Sequence, residues 1–155
     1  FTVKDAEGVA DYFQQQGPRL FRAVNITKLY DADASLANVK KAFETLNEAA
    51  QPQDVVIIYF AGHGDNRFNQ WYFVPYEITQ PERDEQIKAN GISSAMLSEE
   101  LVKLKSQKVL LLMDSCRSGS AVASFRGLED RKSRRRVRLF QRNHDGPLQA
   151  RANVL

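Results

Sequence analysis

Two residues of this 155-residue chain have side chains suited to acyl transfer: Cys116, the only cysteine, and His63, one of two histidines. Each sits in a short polar segment that directly follows an apolar run. Gly62-His63-Gly64 comes after Val55 to Ala61, and Asp114-Ser115-Cys116-Arg117-Ser118-Gly119 comes after Val109 to Met113. A thiol with a pKa of about 8.5 is mostly protonated at neutral pH, so a nucleophilic cysteine needs a neighbouring base. An imidazole can take that proton and later return it to a leaving group. Taken singly, a lone cysteine is usually a small buried hydrophobe and a lone histidine an ordinary polar side chain. Their placement after two similar apolar runs, 53 positions apart, is what favours chemistry.

Strands must hold both segments. Val55-Val56-Ile57-Ile58-Tyr59-Phe60-Ala61 has no polar alternation, the pattern of a central parallel strand covered on both faces, and Val109 to Met113 repeats it. Helices are predicted over about 4–16 (Ala6, Val9, Ala10, Phe13), from a Ser35 N-cap to before Pro52 (Val39, Ala42, Phe43, Leu46), and from Ser93 or Ser94 (Leu97, Leu101, Leu104). A further strand is predicted over Ala23 to Tyr30, a hairpin or short strand around Trp71 and Phe73, and a surface loop from Gln80 to Asn90. This alternation predicts an α/β sandwich with a mostly parallel sheet. In such sheets the functional crevice lies beyond the carboxyl ends of the strands, where His63 and Cys116 both fall.

Composition narrows the classes. Hydrophobic residues at 43% and aromatics at 10% suit one globular domain. No apolar run nears the roughly 20 residues of a membrane span, and the start lacks the pattern of a signal peptide. One cysteine and two histidines are too few for a Cys/His zinc site or an internal disulfide, so a reducing, cytoplasmic setting is the expectation. Charge is uneven: residues 1–125 carry 13 Lys/Arg against 16 Asp/Glu, and residues 126–155 carry 9 against 3. Any nucleic-acid reading rests on the tail alone, where no aromatic side chains interleave the basic run from Arg131 to Arg138. Nucleic acid and membrane are therefore not expected as partners.

The segments DVVIIYFAGHG (Asp54 to Gly64) and KVLLLMDSCRSG (Lys108 to Gly119), in this order and spacing, resemble the caspase and metacaspase superfamily, especially its bacterial caspase-like branch. The resemblance covers about residues 3–120 and implies a three-layer α/β/α sandwich and a cysteine endopeptidase with a His63–Cys116 dyad. It also implies an oxyanion hole formed by the backbone N–H groups of Gly64 and Cys116. In metacaspases the aspartate of the DSC segment lines the pocket for the residue before the scissile bond. Asp114 therefore implies cleavage after Arg or Lys, since a carboxylate attracts a cation and repels Asp. Asp5, at the start of the first helix, is similar to an acidic residue that faces the same pocket. Both also have plain readings, Asp114 as a turn-capping side chain and Asp5 as a helix-start charge. Arg117 stands where many bacterial relatives have histidine, and His144 has no strand before it and receives no role.

The chain also departs from the family. It begins at or inside the first helix, without the buried strand expected before it, and residues 126–155 show no signature of the closing strands. The sequence thus predicts a partial, large-subunit-like caspase domain over 1–125 and a basic linker or disordered tail over 126–155. Attached domains or a separate second-subunit portion are compatible with this. An inactive caspase-like fragment acting as an interaction or regulatory module is the alternative function. No cofactor is expected: some relatives depend on calcium, but no calcium-loop pattern occurs here. The expected partners are proteins or peptides with basic residues, the tail of this chain among them.

Overall fold

In the computed structural model, which describes residues 2–115, 119, 125 and 136–141, the chain runs through α1 (Thr2–Gln16), α2 (Leu36–Ala49), β1 (Val55–Arg67), β2 (Gln70–Val74), α3 (Asp84–Asn90), β3 (Ile92–Ser93), α4 (Ser94–Lys103), β4 (Lys108–Ser115) and β5 (Arg136–Gln141). Local signals set the helix starts. Ser35 accepts a hydrogen bond from the Asn38 N–H at 3.2 Å and Ser93 one from the Met96 N–H at 3.1 Å, so α2 and α4 begin where the sequence places them.

The five strands form one sheet in the order β3-β2-β1-β4-β5. Its centre is parallel: Val55 to Gly62 pair with Lys108 to Ser115, and β5 pairs with β4 from Lys108↔Arg136 to Met113↔Gln141. β2 and β3 add antiparallel rungs on the other side. The two faces are filled unequally. Val56, Phe60, Val109, Leu111 and Met113 join Val39 and Phe43 of α2 and Leu97 and Leu101 of α4 in the main buried cluster. Each such side chain contributes roughly 1.5–3 kcal/mol through burial. On the opposite face α1 brings Val9 and Phe13 beside Tyr59 and Leu112. Helix, sheet and helices make the expected three layers.

Ser106 fixes the base of the parallel pair. Wholly buried, its hydroxyl donates to the Asp54 carbonyl at 2.7 Å and accepts from the Lys108 N–H at 3.2 Å, joining the residue before β1 to the first residue of β4. At the other end, Gly62 is required by close approach. A Cβ there would lie 2.7 Å from Cζ of Phe73, whose ring is itself buried and packed 5.2 Å from that of Phe60.

Four expectations are corrected. Residues 23–30 form no strand, because the stretch finds no ladder and only Leu29 among them packs on the core. Within the polar stretch from Gln80 to Asn90 lies α3, anchored by the fully buried Ile87 against Tyr72 and Ile78; one apolar residue gives no period to read. β1 does not end before the His63 segment but continues to Arg67, because β2 supplies a new partner once β4 ends. Finally, β5 lies in the tail expected to hold no strand. Its charges mask a short alternation, in which Val137 and Leu139 register with Val109 and Leu111. The rest of the tail, including Arg131 to Arg135, is outside the described residues.

Two substitutions test these constraints. Ser106→Ala removes the hydroxyl that joins the Asp54 carbonyl to the Lys108 N–H and is expected to cost about 1–3 kcal/mol, read by urea unfolding. Gly62→Ala forces the Phe73 ring to shift within a filled core. The same measurement should show a loss of about 1–3 kcal/mol.

Candidate active site

The strand register decides which residues meet. Ala61 lies opposite Asp114 and Gly62 opposite Ser115, and this is the last rung that β1 shares with β4. His63 begins the antiparallel ladder, opposite Val74, and is exposed; Gly64 follows opposite Phe73 and is half-buried. Ser115 is buried and ends β4. The sequence-predicted nucleophile Cys116 is joined to it by one peptide bond and, with Arg117, lies outside the described residues.

Asp114 is half-buried on the face of the sheet that α1 covers, in step with Leu112. Its Oδ2 accepts a hydrogen bond from the Tyr59 hydroxyl at 3.3 Å. Tyr59 in turn lines an open groove of about 430 Å³ between α1 and the sheet, together with Lys4, Asp5, Val9, Tyr12 and Leu112. Asp5 is exposed in the first turn of α1. The two carboxylates singled out from the sequence are thus linked through one side chain: Asp5 shares the groove with Tyr59, and Tyr59 holds Asp114. A groove of this kind can take an extended apolar stem with a cationic end.

Sequence reasoning missed Tyr59. Its signal was a phenol inside an otherwise aliphatic run, since a partly buried Tyr usually has a partner for its O–H.

The segment after His63 is braced from outside. Arg67 donates from Nε to Asp65 at 2.9 Å and from one terminal nitrogen to Asp84 at 2.5 Å and to the Glu82 carbonyl at 3.2 Å. The hydrogen bonds to Asp84 and then to Asp65 raise its already high pKa, so the guanidinium stays charged. It ties the end of β1 to the start of α3. The turn between β1 and β2 has positive φ at both central residues, Phe68 (51°) and Asn69 (59°), as a tight two-residue hairpin requires. Lys88 covers the Phe68 ring at 4.3 Å.

Among the described residues no group of three or more His, Cys, Asp or Glu side chains is placed to hold a metal ion, and no helix is long and apolar enough to cross a membrane. No curated protein matches the chain. A family model does: the caspase domain matches residues 2–153, which include both motif segments, all five strands and most of the basic tail. On that match, and with an α/β sheet that sets the two segments at the ends of adjacent parallel strands, the chain belongs to the caspase-domain family of peptidases.

Proposed function

We propose that this protein is a cysteine endopeptidase of the cytoplasm that cleaves after Arg or Lys, with Cys116 as nucleophile and His63 as general base and acid. The observation that carries the reading is the last common rung, Gly62↔Ser115: the next residues along the two chains are His63 and Cys116. In the reaction, His63 takes the thiol proton while sulfur attacks the scissile carbonyl. The carbonyl electron pair moves to oxygen, where the backbone N–H groups of Gly64 and Cys116 receive the negative charge. Collapse of this intermediate expels the amine, which collects its proton from His63 and leaves a thioester. Water then attacks the thioester, giving up a proton to His63, and the acid product departs as the thiol is restored. Asp114 and Asp5 select the residue before the scissile bond by charge, favouring a guanidinium or ammonium in the groove that contains Tyr59.

A fluorogenic peptide panel tests both parts. Peptides ending in Arg or Lys should be cleaved and those ending in Asp should not. Cys116→Ala and His63→Ala should each lower kcat by roughly 10³-fold or more. Asp114→Ala should raise KM for basic peptides. A folded protein that neither turns over these peptides nor labels with an arginyl thiol-reactive electrophile would replace this reading with that of a non-catalytic interaction module.

The basic run is the substrate nearest to hand. Autoprocessing after Arg134 or Arg135 requires a second molecule once β5 is paired, because Arg136 is held opposite Lys108 at the far end of β4. Ser115 lies about 23 Å further along that strand, whereas two residues span at most about 7 Å. Intact-mass measurements should show cuts at these positions whose rate rises with protein concentration. The Cys116→Ala protein should remain whole when incubated alone and be cut when mixed with wild type.

A further inference from the structure

We propose that Tyr59 is a specificity-positioning residue, whose hydroxyl ties the Asp114 carboxylate to the wall of the groove and so sets the preference for a cationic side chain; this rests on the basic-residue reading above. Three observations converge on it. Tyr59 and Leu112 are opposite each other in the β1–β4 register, and both line the groove beneath α1. Asp114 is two residues beyond Leu112, on the same side of the sheet. The Tyr59 hydroxyl spans that interval and donates to Asp114 Oδ2 at 3.3 Å.

The chemistry follows from that geometry. A hydrogen bond from a half-buried phenol restricts the torsions of the carboxylate before substrate arrives. The phenol ring itself forms groove wall next to Asp5, where the methylene stem of Arg or Lys would lie and where a guanidinium can stack on an aromatic face. Tyr59 is too far down the strand to act on the scissile bond: three residues separate it from His63 in β1. Its influence belongs in substrate affinity, transmitted through Asp114.

The test is a double-mutant cycle on a fluorogenic peptide ending in arginine and on its citrulline counterpart, a neutral side chain of nearly the same shape. Tyr59→Phe keeps the ring and removes the hydroxyl. It should raise KM for the arginine peptide three- to tenfold, with a smaller effect on kcat, and lower the arginine-over-citrulline ratio of kcat/KM by a similar factor. In an Asp114→Ala background the same substitution should change neither KM nor the ratio. Thermal unfolding of each variant checks that the fold is kept. If Asp114→Ala abolishes the arginine preference but Tyr59→Phe leaves KM and the ratio unchanged, the role of Tyr59 is overturned and the reading of the site stands. Equal effects of Tyr59→Phe with and without Asp114 would likewise overturn it, since its influence would not pass through the carboxylate. If Asp114→Ala leaves the preference intact, the basic-residue reading itself falls and the inference falls with it.

Discussion

β1 and β4 have to pair in one register, because side chains alternate across a strand and a slip of one residue would turn every one of them to the other face. In the observed register Val56, Phe60, Val109, Leu111 and Met113 enter the core, while Tyr59, Leu112 and Asp114 share the side beneath α1. A shift of β4 alone would bury Asp114 among the leucines of α4 and raise Met113 into the groove. Apolar patterning disfavours that slip by the burial of three large side chains, Val109, Leu111 and Met113. Ser106 adds a polar lock, since its hydroxyl reaches both strands only when Val55 faces Lys108. The site at the top of the sheet therefore depends on a serine at the bottom.

The same pairing gives the two faces of the sheet different cover among the described residues. α2 and α4 seal one face into a continuous core, whereas on the other, among the described residues, α1 lies over the sheet and leaves an open groove. At the upper end β1 leaves β4 and takes β2 as its partner, and the exchange falls between Gly62 and His63. Arg67 steadies the extension from its far end through Asp65 and Asp84, using exposed charges in place of a core. Such pairs contribute little stability singly, but they limit the directions in which the hairpin can move.

How much was legible in the sequence differs by element, for physical reasons. Helices capped by Ser35 and Ser93 and strands built of unbroken apolar runs carry their signal locally, in one side chain or in seven consecutive ones. The two motif segments were legible because glycine and serine beside His63 and Cys116 break those runs abruptly. α3 was not, because its place depends on Ile87 meeting Tyr72 and Ile78, residues remote in the chain. Residues 23–30 failed in the opposite way: β-branched content favours extended backbone, but a strand exists only where a neighbour offers its N–H and C=O groups. Tyr59 was hidden inside the strongest strand signal, and its polar role became visible only once the register put Asp114 within reach of its hydroxyl.

β5 is the instructive case, since the composition that concealed it is also what an edge strand needs. It ends the sheet order, so one side of its backbone faces no described strand. An exposed row of N–H and C=O groups invites pairing with other chains, and positive charge on or next to an edge strand opposes this. Arginines at 136 and 138, with more at 134 and 135, place that charge at the start of the strand. Reading the run only as a solvated linker weighs the cost of gathering like charges without the gain from Val137 and Leu139 in register with Val109 and Leu111. The backbone pairing from Lys108↔Arg136 to Met113↔Gln141 is what offsets that cost.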